Sequence, residues 1–95
     1  MEKEPRYLFS DVKIPDPYRP DVKSIVLFGL QCSDGSTVYL EIRYIDYEND
    51  VVEGDHLMLS LEESYEYAIR DYGIQKSDWR DLTSQEIEKI GREIK

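Results

Sequence analysis

The chain of 95 residues carries 12 basic and 21 acidic side chains, which give it a formal net charge of −9. This length predicts one small domain, residues 1–95, with a single modest core. Apolar residues make up 40% of the chain, and this share excludes a disordered protein despite the charge. No apolar run reaches the roughly 18 residues that a membrane-spanning helix needs, so we expect no membrane partner.

Apolar, β-branched and aromatic residues predict a first strand over residues 7–14. Pro15, Pro17 and Pro20 follow, and each proline removes a backbone donor and favours an extended conformation in the residue before it. We therefore expect a stiff, extended connection instead of a helix. A proline-rich recognition motif is the alternative, but the surrounding residues do not form a proline-rich tract.

Two runs separated by a tight-turn signal predict an antiparallel hairpin. Residues 22–31 are apolar on both faces over most of their length, as in a strand that is covered on both sides. Asp34-Gly35 is a strong signal for a tight turn, and residues 37–47 then alternate between apolar and polar side chains. The two strands are expected to pair with each other.

Acidic turns follow this hairpin. Residues 48–50, with the sequence Glu-Asn-Asp, predict a turn, after which residues 51–59 return as one bent strand or as two short ones. Residues 53–55, Glu-Gly-Asp, predict a third turn or a β-bulge. Charged residues at these places also discourage unwanted pairing at a sheet edge.

The rest of the chain predicts helices. A capping box from Ser60 to Glu63 starts a helix over residues 61–72, and Gly73 stands where a C-terminal cap is expected. Residues 77–82 predict a short helical turn, and the cap signature at residues 83–86 starts a last helix with isoleucines at helical spacing. The elements together predict an α+β fold, with an antiparallel β-sheet of about four strands followed by one or two C-terminal helices packed on one face.

The acidic residues are concentrated in the middle of the chain. Residues 41–71 carry ten acidic residues against Arg43 and Arg70 and have a net charge of −8, whereas residues 1–40 and 72–95 have net charges of −1 and 0. Such a field repels phosphate backbones, so we expect no nucleic-acid partner, and it favours basic proteins. Solubility alone is the other explanation. A DNA mimic would need longer and more regular rows of acids.

Calcium binding is not favoured by the acidic turn. Asp46, Glu48 and Asp50 have the spacing with which a calcium-binding loop begins. However, Val51 and Leu57 stand where an EF-hand needs glycine and glutamate. The β-like sequence on both sides also differs from the helices of an EF-hand, so solubility explains these acids better.

Catalytic motifs are also missing from the sequence. Cys32 and His56 are the only soft metal ligands, too few for a structural zinc site, and they form the only thiol–imidazole pair that the chain could offer. No serine stands in a nucleophile elbow, and no glycine-rich phosphate loop is present. We therefore expect no metal, no cofactor and no enzymatic activity. A pocket near Cys32 and His56 is the alternative.

Tyrosines are interleaved with the acids. Alternation places Tyr39 and Tyr47 on the strand face that also carries Glu41 and Arg43. If no helix covers that face, it presents the combination of aromatic and acidic side chains that a binder of a basic protein needs. Ordinary cross-strand pairing of aromatics is the other interpretation. The predicted partner-binding residues are Tyr39, Glu41, Tyr47, Glu48, Asp50, Glu53 and Asp55.

The remaining signals concern location. The N-terminal residues 1–6 are charged and no apolar segment follows them, so we expect no signal peptide. The single Cys32 cannot form an internal disulfide, which fits a reducing compartment. Both observations predict a cytoplasmic protein.

One stretch resembles a known group of proteins. Residues 61–68 (LEESYEYA), 72–74 (YGI) and 78–79 (DW) resemble a tail found in small uncharacterised bacterial proteins, some of which are similar to immunity proteins of toxin systems. Immunity proteins bind and neutralise a cognate toxin. Ser64 stands where this pattern usually has alanine, and the resemblance carries over no functional residue.

These observations lead to one hypothesis and one alternative. We predict a non-enzymatic bacterial protein that binds a basic protein partner through its acidic, tyrosine-rich surface, as an inhibitor or an immunity-type protein. The alternative is a structural or accessory subunit that forms a homodimer through the sheet edge or the tyrosine face.

Overall fold

A five-stranded antiparallel sheet forms the centre of the computed structural model, which describes residues 5–94. The strand order is β4-β3-β2-β1-β5, so the long central strands are consecutive in the sequence and the short last strand lies at one edge. This architecture confirms the predicted α+β class. The elements are β1 (Tyr7–Asp11), β2 (Ser24–Gln31), β3 (Thr37–Asp46), β4 (Val51–Met58), α1 (Leu61–Tyr72), a 3-10 turn (Lys76–Asp78), β5 (Arg80–Asp81) and α2 (Ser84–Ile94).

The predicted β2–β3 hairpin is confirmed. Gly35 has a φ of 90°, a conformation that L side chains rarely adopt, and its N–H donates to the carbonyl of Cys32. The Asp34 carboxylate accepts from both the backbone N–H and the hydroxyl of Ser36. The turn chemistry therefore fixes the register in which Gln31 faces Thr37.

Helix α1 has the predicted caps at both ends. The Ser60 hydroxyl accepts from the Glu63 N–H at 3.1 Å, and the Glu63 carboxylate accepts from the Leu59 N–H at 2.8 Å. At the other end Gly73 is left-handed, and the N–H groups of Gly73 and Ile74 donate to the carbonyls of Ile69 and Ala68. These bonds satisfy backbone groups that a helix end otherwise exposes.

The two helices cover opposite faces of the sheet, so the prediction that they pack on one face was wrong. On one face Ile25 and Leu27 of β2 pack with α1, and on the other face Val26 and Phe28 share a cluster with Ile90 of α2. Successive residues of a strand point to opposite faces, so a strand that is apolar at every position needs cover on both. Among residues 5–94 no helix is long and apolar enough to cross a membrane.

The proline-rich connection joins β1 to β2 through two tight turns, in which the Arg19 N–H donates to the Asp16 carbonyl and the Val22 N–H donates to the Arg19 carbonyl, so the predicted extended connection was wrong. The connection also caps α1. Strand β1 ends at Asp11, earlier than the predicted residue 14, because the N–H groups of Lys13 and Ile14 turn away to donate to the carbonyl of Tyr72. Val22 then returns to the core with 2% of its surface exposed. The connection therefore belongs to the domain and fixes the end of α1 against the sheet.

The Glu86 carboxylate joins the start of helix α2 to the sheet. Glu86 accepts from both Nη atoms of Arg80, at 2.9 and 3.0 Å, from the Thr83 N–H at 2.8 Å and from the Tyr47 hydroxyl at 2.6 Å. The hydrogen bonds from Arg80, together with those from Thr83 and Tyr47, lower the pKa of Glu86 to about 2. The carboxylate thus connects the turn after β3, strand β5 and the start of α2.

Replacing two glycines by alanine is expected to change stability in opposite directions. In Gly73→Ala, the left-handed φ of 65° and a Cβ only 2.7 Å from Ile14 Cγ1 should lower the free energy of unfolding. A left-handed alanine costs roughly 1–2 kcal/mol. In Gly91→Ala, the new Cβ meets only Phe28 Cζ at 3.8 Å, and replacing glycine inside a helix should stabilise by up to about 1 kcal/mol. Urea unfolding curves of the two variants would measure both changes, and a stable Gly73→Ala variant would contradict the assigned cap.

Glu86→Gln is expected to destabilise the protein in a pH-dependent way. The pKa of Glu86 is lower in the folded than in the unfolded state, so the ionised carboxylate stabilises the fold above about pH 4.5, and this contribution is lost as the pH falls towards 2. The variant should lose about 1–3 kcal/mol at neutral pH, and the difference from the parent protein should shrink below pH 4.5. Urea unfolding at several pH values tests this, with the exposed Glu88→Gln as the control. An equal loss at every pH would contradict the role of the charge.

Candidate functional site

Two of the predicted partner-binding residues lie beneath α1 instead of on the surface. Tyr39 is 5% exposed, and its hydroxyl accepts from the Arg6 N–H at 2.9 Å. Glu41 is 4% exposed on the same strand face. The condition that no helix covers this face is not met, so Tyr39 and Glu41 are unavailable to a partner that docks on the surface.

Tyr47 lies on the opposite face from Tyr39, because β3 and β4 shift register near Tyr44. Its ring packs on Phe9 at 4.6 Å between centroids, and its hydroxyl donates to Glu86. Burial and this hydrogen bond raise the pKa of Tyr47. Tyr47 therefore supports α2, and the structure does not bring it together with Tyr39 and Glu41.

The other four predicted residues remain exposed along the outer edge of the sheet. Glu48 and Asp50 lie in the β3–β4 turn, and Glu53 and Asp55 lie in β4. Asp50 pairs with Lys89 at 2.9 Å, and Glu53 pairs with Arg43 at 2.7 Å. The predicted acidic surface therefore survives in part, as a row of carboxylates on one strand and the turn before it.

Exposed apolar side chains lie between these acids. Val52 is 43% exposed, Leu57 is 51% exposed and Leu59 is 73% exposed. Strand β4 pairs with β3 on one side, and within residues 5–94 no strand pairs with its other side. We call this surface the β4 edge, and it consists of Glu48, Asp50, Val51, Val52, Glu53, Asp55, Leu57 and Leu59.

A cleft between α1 and the sheet contains the second group of polar side chains, and the sequence did not predict it. The cleft has a volume of about 280 Å³ and lies where α1 leaves the edge of β3 and β4 uncovered. Its lining is unusual for this acidic chain because three arginines contribute to it. We call it the arginine cleft, and it is lined by Arg19, Glu41, Arg43, His56, Met58, Tyr67, Arg70, Asp71 and Tyr72.

A buried carboxylate and a guanidinium lie side by side in this cleft. Glu41 Oε1 lies 3.5 Å from Arg43 Nη1, and the two side chains are 5% and 11% exposed. No hydrogen-bond donor among residues 5–94 reaches the other carboxylate oxygen, Oε2. Burial away from water raises the pKa of Glu41, although Arg43 acts in the opposite direction.

Arg43 is held by the neighbouring strand. Its Nε–H donates to Glu53 Oε1 at 2.7 Å, and a Cβ at position 54 would lie 2.7 Å from Arg43 Nη2. Gly54 therefore leaves space for the guanidinium. Glu53 also lies 3.6 Å from Arg19 Nε, and the hydrogen bond from Arg43 lowers the pKa of Glu53. The β4 edge and the arginine cleft thus share one carboxylate.

The outer wall of the cleft comes from α1. The Arg70 guanidinium lies 4.4 Å from the centre of the Tyr67 ring and makes two hydrogen bonds to the adjacent Asp71. Tyr72 is buried beneath them, and burial raises its pKa to about 12. His56 faces Glu41 across the β3–β4 pair.

The structure separates the only cysteine from the only histidine. Cys32 lies in the β2–β3 turn, and His56 lies in β4 opposite Glu41. Strand spacing places these residues about 15 Å apart or more, because they are five residues along the sheet and two strands across it. A thiol–imidazole pair cannot form over this distance. Within residues 5–94 no group of three or more His, Cys, Asp or Glu side chains could hold a metal ion.

No protein-family model, no curated protein and no solved structure matches this chain. The similarity of residues 61–79 to immunity-type proteins therefore stays a prediction. What the protein does is argued from the geometry of the β4 edge and of the arginine cleft.

Removing the charge from the two glutamates beside Arg43 is expected to have opposite effects. The folded-state pKa of Glu41 is raised, so its ionised form disfavours the fold above about pH 4.5. Glu41→Gln should therefore match or exceed the parent protein in stability near neutral pH and lose this advantage in acid. The folded-state pKa of Glu53 is lowered, so Glu53→Gln should lose up to about 1 kcal/mol near neutral pH, as expected for a solvent-screened ion pair, and approach the parent protein in acid.

Urea unfolding of the two variants near pH 8 and near pH 4 measures this difference. Each variant is the control for the other, because both glutamates contact the same guanidinium. A loss of stability in Glu41→Gln as large as in Glu53→Gln would contradict the argument from burial.

Proposed function

We propose that this protein is a non-enzymatic protein-binding module and that the β4 edge receives a basic, extended segment of its partner. The observation that carries the proposal is the β4 strand itself, which is eight residues long and has no neighbour on its outer side within residues 5–94. An unpaired strand offers backbone donors and acceptors to which an added strand can bind.

The side chains of β4 favour a basic occupant. Val52 and Leu57 supply exposed apolar surface, and Glu53 and Asp55 supply negative charge between them. Asp55 lies opposite Ile42 on the face of α2, whereas Glu53 pairs with Arg43 on the face of α1. An added strand with basic residues on either face would therefore place its cations beside one of these carboxylates. The ten acids of residues 41–71 would also accelerate the approach of such a partner at low salt.

The same charges argue against a second copy of this chain. Antiparallel pairing of two β4 strands would bring Glu53 and Asp55 of one copy close to Glu53 and Asp55 of the other. Like charges on opposing strands destabilise a sheet. The homodimer therefore remains the second candidate, supported by the exposed apolar side chains of the same edge.

The proposal extends to the biological setting. The single Cys32 supports a reducing, cytoplasmic location, and the similarity of residues 61–79 supports a bacterial inhibitor or an immunity-type protein. The contact residues of the proposal are Glu48, Asp50, Glu53 and Asp55 of the original prediction, together with Val52 and Leu57.

Binding of a short peptide of alternating lysine and valine tests this proposal. Nuclear magnetic resonance should show shifts of the β4 amides, Val51–Met58, that weaken when salt is raised from about 50 mM to about 500 mM. Glu48→Gln with Asp55→Asn should weaken binding about 2- to 30-fold, since each exposed charge pair contributes about 0.2–1 kcal/mol. These two carboxylates take part in none of the ion pairs that join residues 5–94, so the fold should be unaffected.

The control variant is Asp21→Asn with Glu88→Gln, which removes the same charge outside the β4 edge. It should bind the peptide nearly as well as the parent protein. Equal binding of an alternating glutamate and valine peptide, or shifts outside β4, would contradict the proposal. A protein dimer with protected β4 amides in the absence of peptide would favour the homodimer instead.

A further inference from the structure

The basic residues of the acidic segment converge on one place. Residues 41–71 contain only two basic residues, Arg43 and Arg70, and both line the arginine cleft. Arg19 joins them from the proline-rich connection, and the chain's only histidine, His56, completes the lining. The protein as a whole repels anions, but this cleft gathers the cations that could hold one.

Arg43 has donors that the protein does not use. A guanidinium carries five N–H groups, and Arg43 makes hydrogen bonds within residues 5–94 only through Nε to Glu53 and through Nη1 to Glu41. Its side chain is 11% exposed, so water reaches little of it. Unused donors beside a cleft can bind the oxygens of an anion in a fork geometry.

Glu41, in contrast, lacks a hydrogen-bond donor. Its Oε2 atom is buried and has no donor within residues 5–94, and a buried acceptor without a partner costs about 1–3 kcal/mol. A ligand that reaches both groups must accept hydrogen bonds from Arg43 and share a proton with Glu41. Oxyanions that carry a proton near neutral pH meet both requirements.

We propose that the arginine cleft binds inorganic phosphate in its singly protonated form, with its unprotonated oxygens on Arg43 and its protonated oxygen on Glu41 Oε2. The volume of about 280 Å³ is just below the range of about 300–1,000 Å³ usual for ligand pockets, which limits the ligand to a small molecule. Arg19 and Arg70 lie at the mouth of the cleft, where Arg19 pairs with Glu53 and Arg70 pairs with Asp71.

The proton on the ligand makes this site selective. Sulfate has the size and shape of phosphate but carries no proton near neutral pH, so a sulfate oxygen and the Glu41 carboxylate would repel each other. The unpaired acceptor, Glu41 Oε2, therefore disfavours sulfate, because a site that needs a hydrogen-bond donor rejects an analogue without one. Nonspecific attraction to three arginines would not distinguish the two anions.

Titration of the protein with inorganic phosphate, sulfate and glycerol 3-phosphate near pH 8 tests the proposal. Resonances of His56 and of the Glu41, Arg43 and Arg70 amides should shift with phosphate, and sulfate and glycerol 3-phosphate, which carry no proton near pH 8, should bind at least tenfold more weakly. Glu41→Gln should abolish this preference, because the amide can donate to either anion. Arg70→Gln, which changes an exposed side chain and should fold normally, should weaken phosphate binding, whereas Arg92→Gln outside the cleft should not.

Glycerol 3-phosphate tests the role of the proton. A monoester has a second pKa of about 6 and carries no proton near pH 8, so binding of glycerol 3-phosphate as tight as that of inorganic phosphate would contradict the contact with Glu41 Oε2. Equal affinity for sulfate and phosphate, or shifts that bypass the cleft, would overturn the proposal. Because the readout uses cleft resonances and anions alone, its failure would leave peptide binding at the β4 edge unaffected.

Discussion

Strand β2 is apolar on both of its faces, and the need to cover both faces determines the layout of this protein. Ile25 and Leu27 are fully buried under α1, and Val26 is fully buried on the side of α2. Since one helix cannot cover two faces, the chain after the sheet must supply one helix to each side. The short strand β5 lies between α1 and α2 in the sequence and carries the chain past the edge of the sheet.

Two helices over a five-stranded sheet leave some of it uncovered, and both proposed sites lie there. Helix α1 follows β4 directly and packs on β3 and β4, and the last residues of this helix, Arg70, Asp71 and Tyr72, line the arginine cleft together with those strands. The outer side of β4 has no neighbour within residues 5–94 because β1, instead of β4, pairs with the last strand. The polar chemistry is thus located where the core ends, as in many proteins whose rigid elements position functional groups at their margins.

Local sequence signals predicted the strands and helices of this fold, whereas long-range packing determined which faces of the sheet the helices cover. The Ser60 cap, the Gly73 cap and the Asp34-Gly35 turn each depend on a few neighbouring residues, so the sequence was sufficient for them. The sequence could not place Tyr39 and Tyr47 on the correct faces of the sheet. Their positions depend on which helix covers each face and on the register shift between β3 and β4, and a local sequence pattern shows neither. Two features of the sequence were signals for the rest. The apolar residues on both faces of β2 indicated that both faces of the sheet are covered, and the position of Arg43 among acidic residues indicated the cleft.

Glu53 connects the two proposed sites, so they should not act independently. Its carboxylate faces the β4 edge and also holds Arg43 at 2.7 Å in the cleft. A cation of a partner that draws Glu53 away would leave the positive charge of Arg43 less compensated, and the cleft would then hold an oxyanion more tightly. Reciprocity requires that the oxyanion, by competing with Glu53 for the same guanidinium, release this carboxylate to the partner and strengthen its binding by the same factor. The net negative charge of the chain repels anions, and through this coupling a bound basic partner would weaken the repulsion at the arginine cleft.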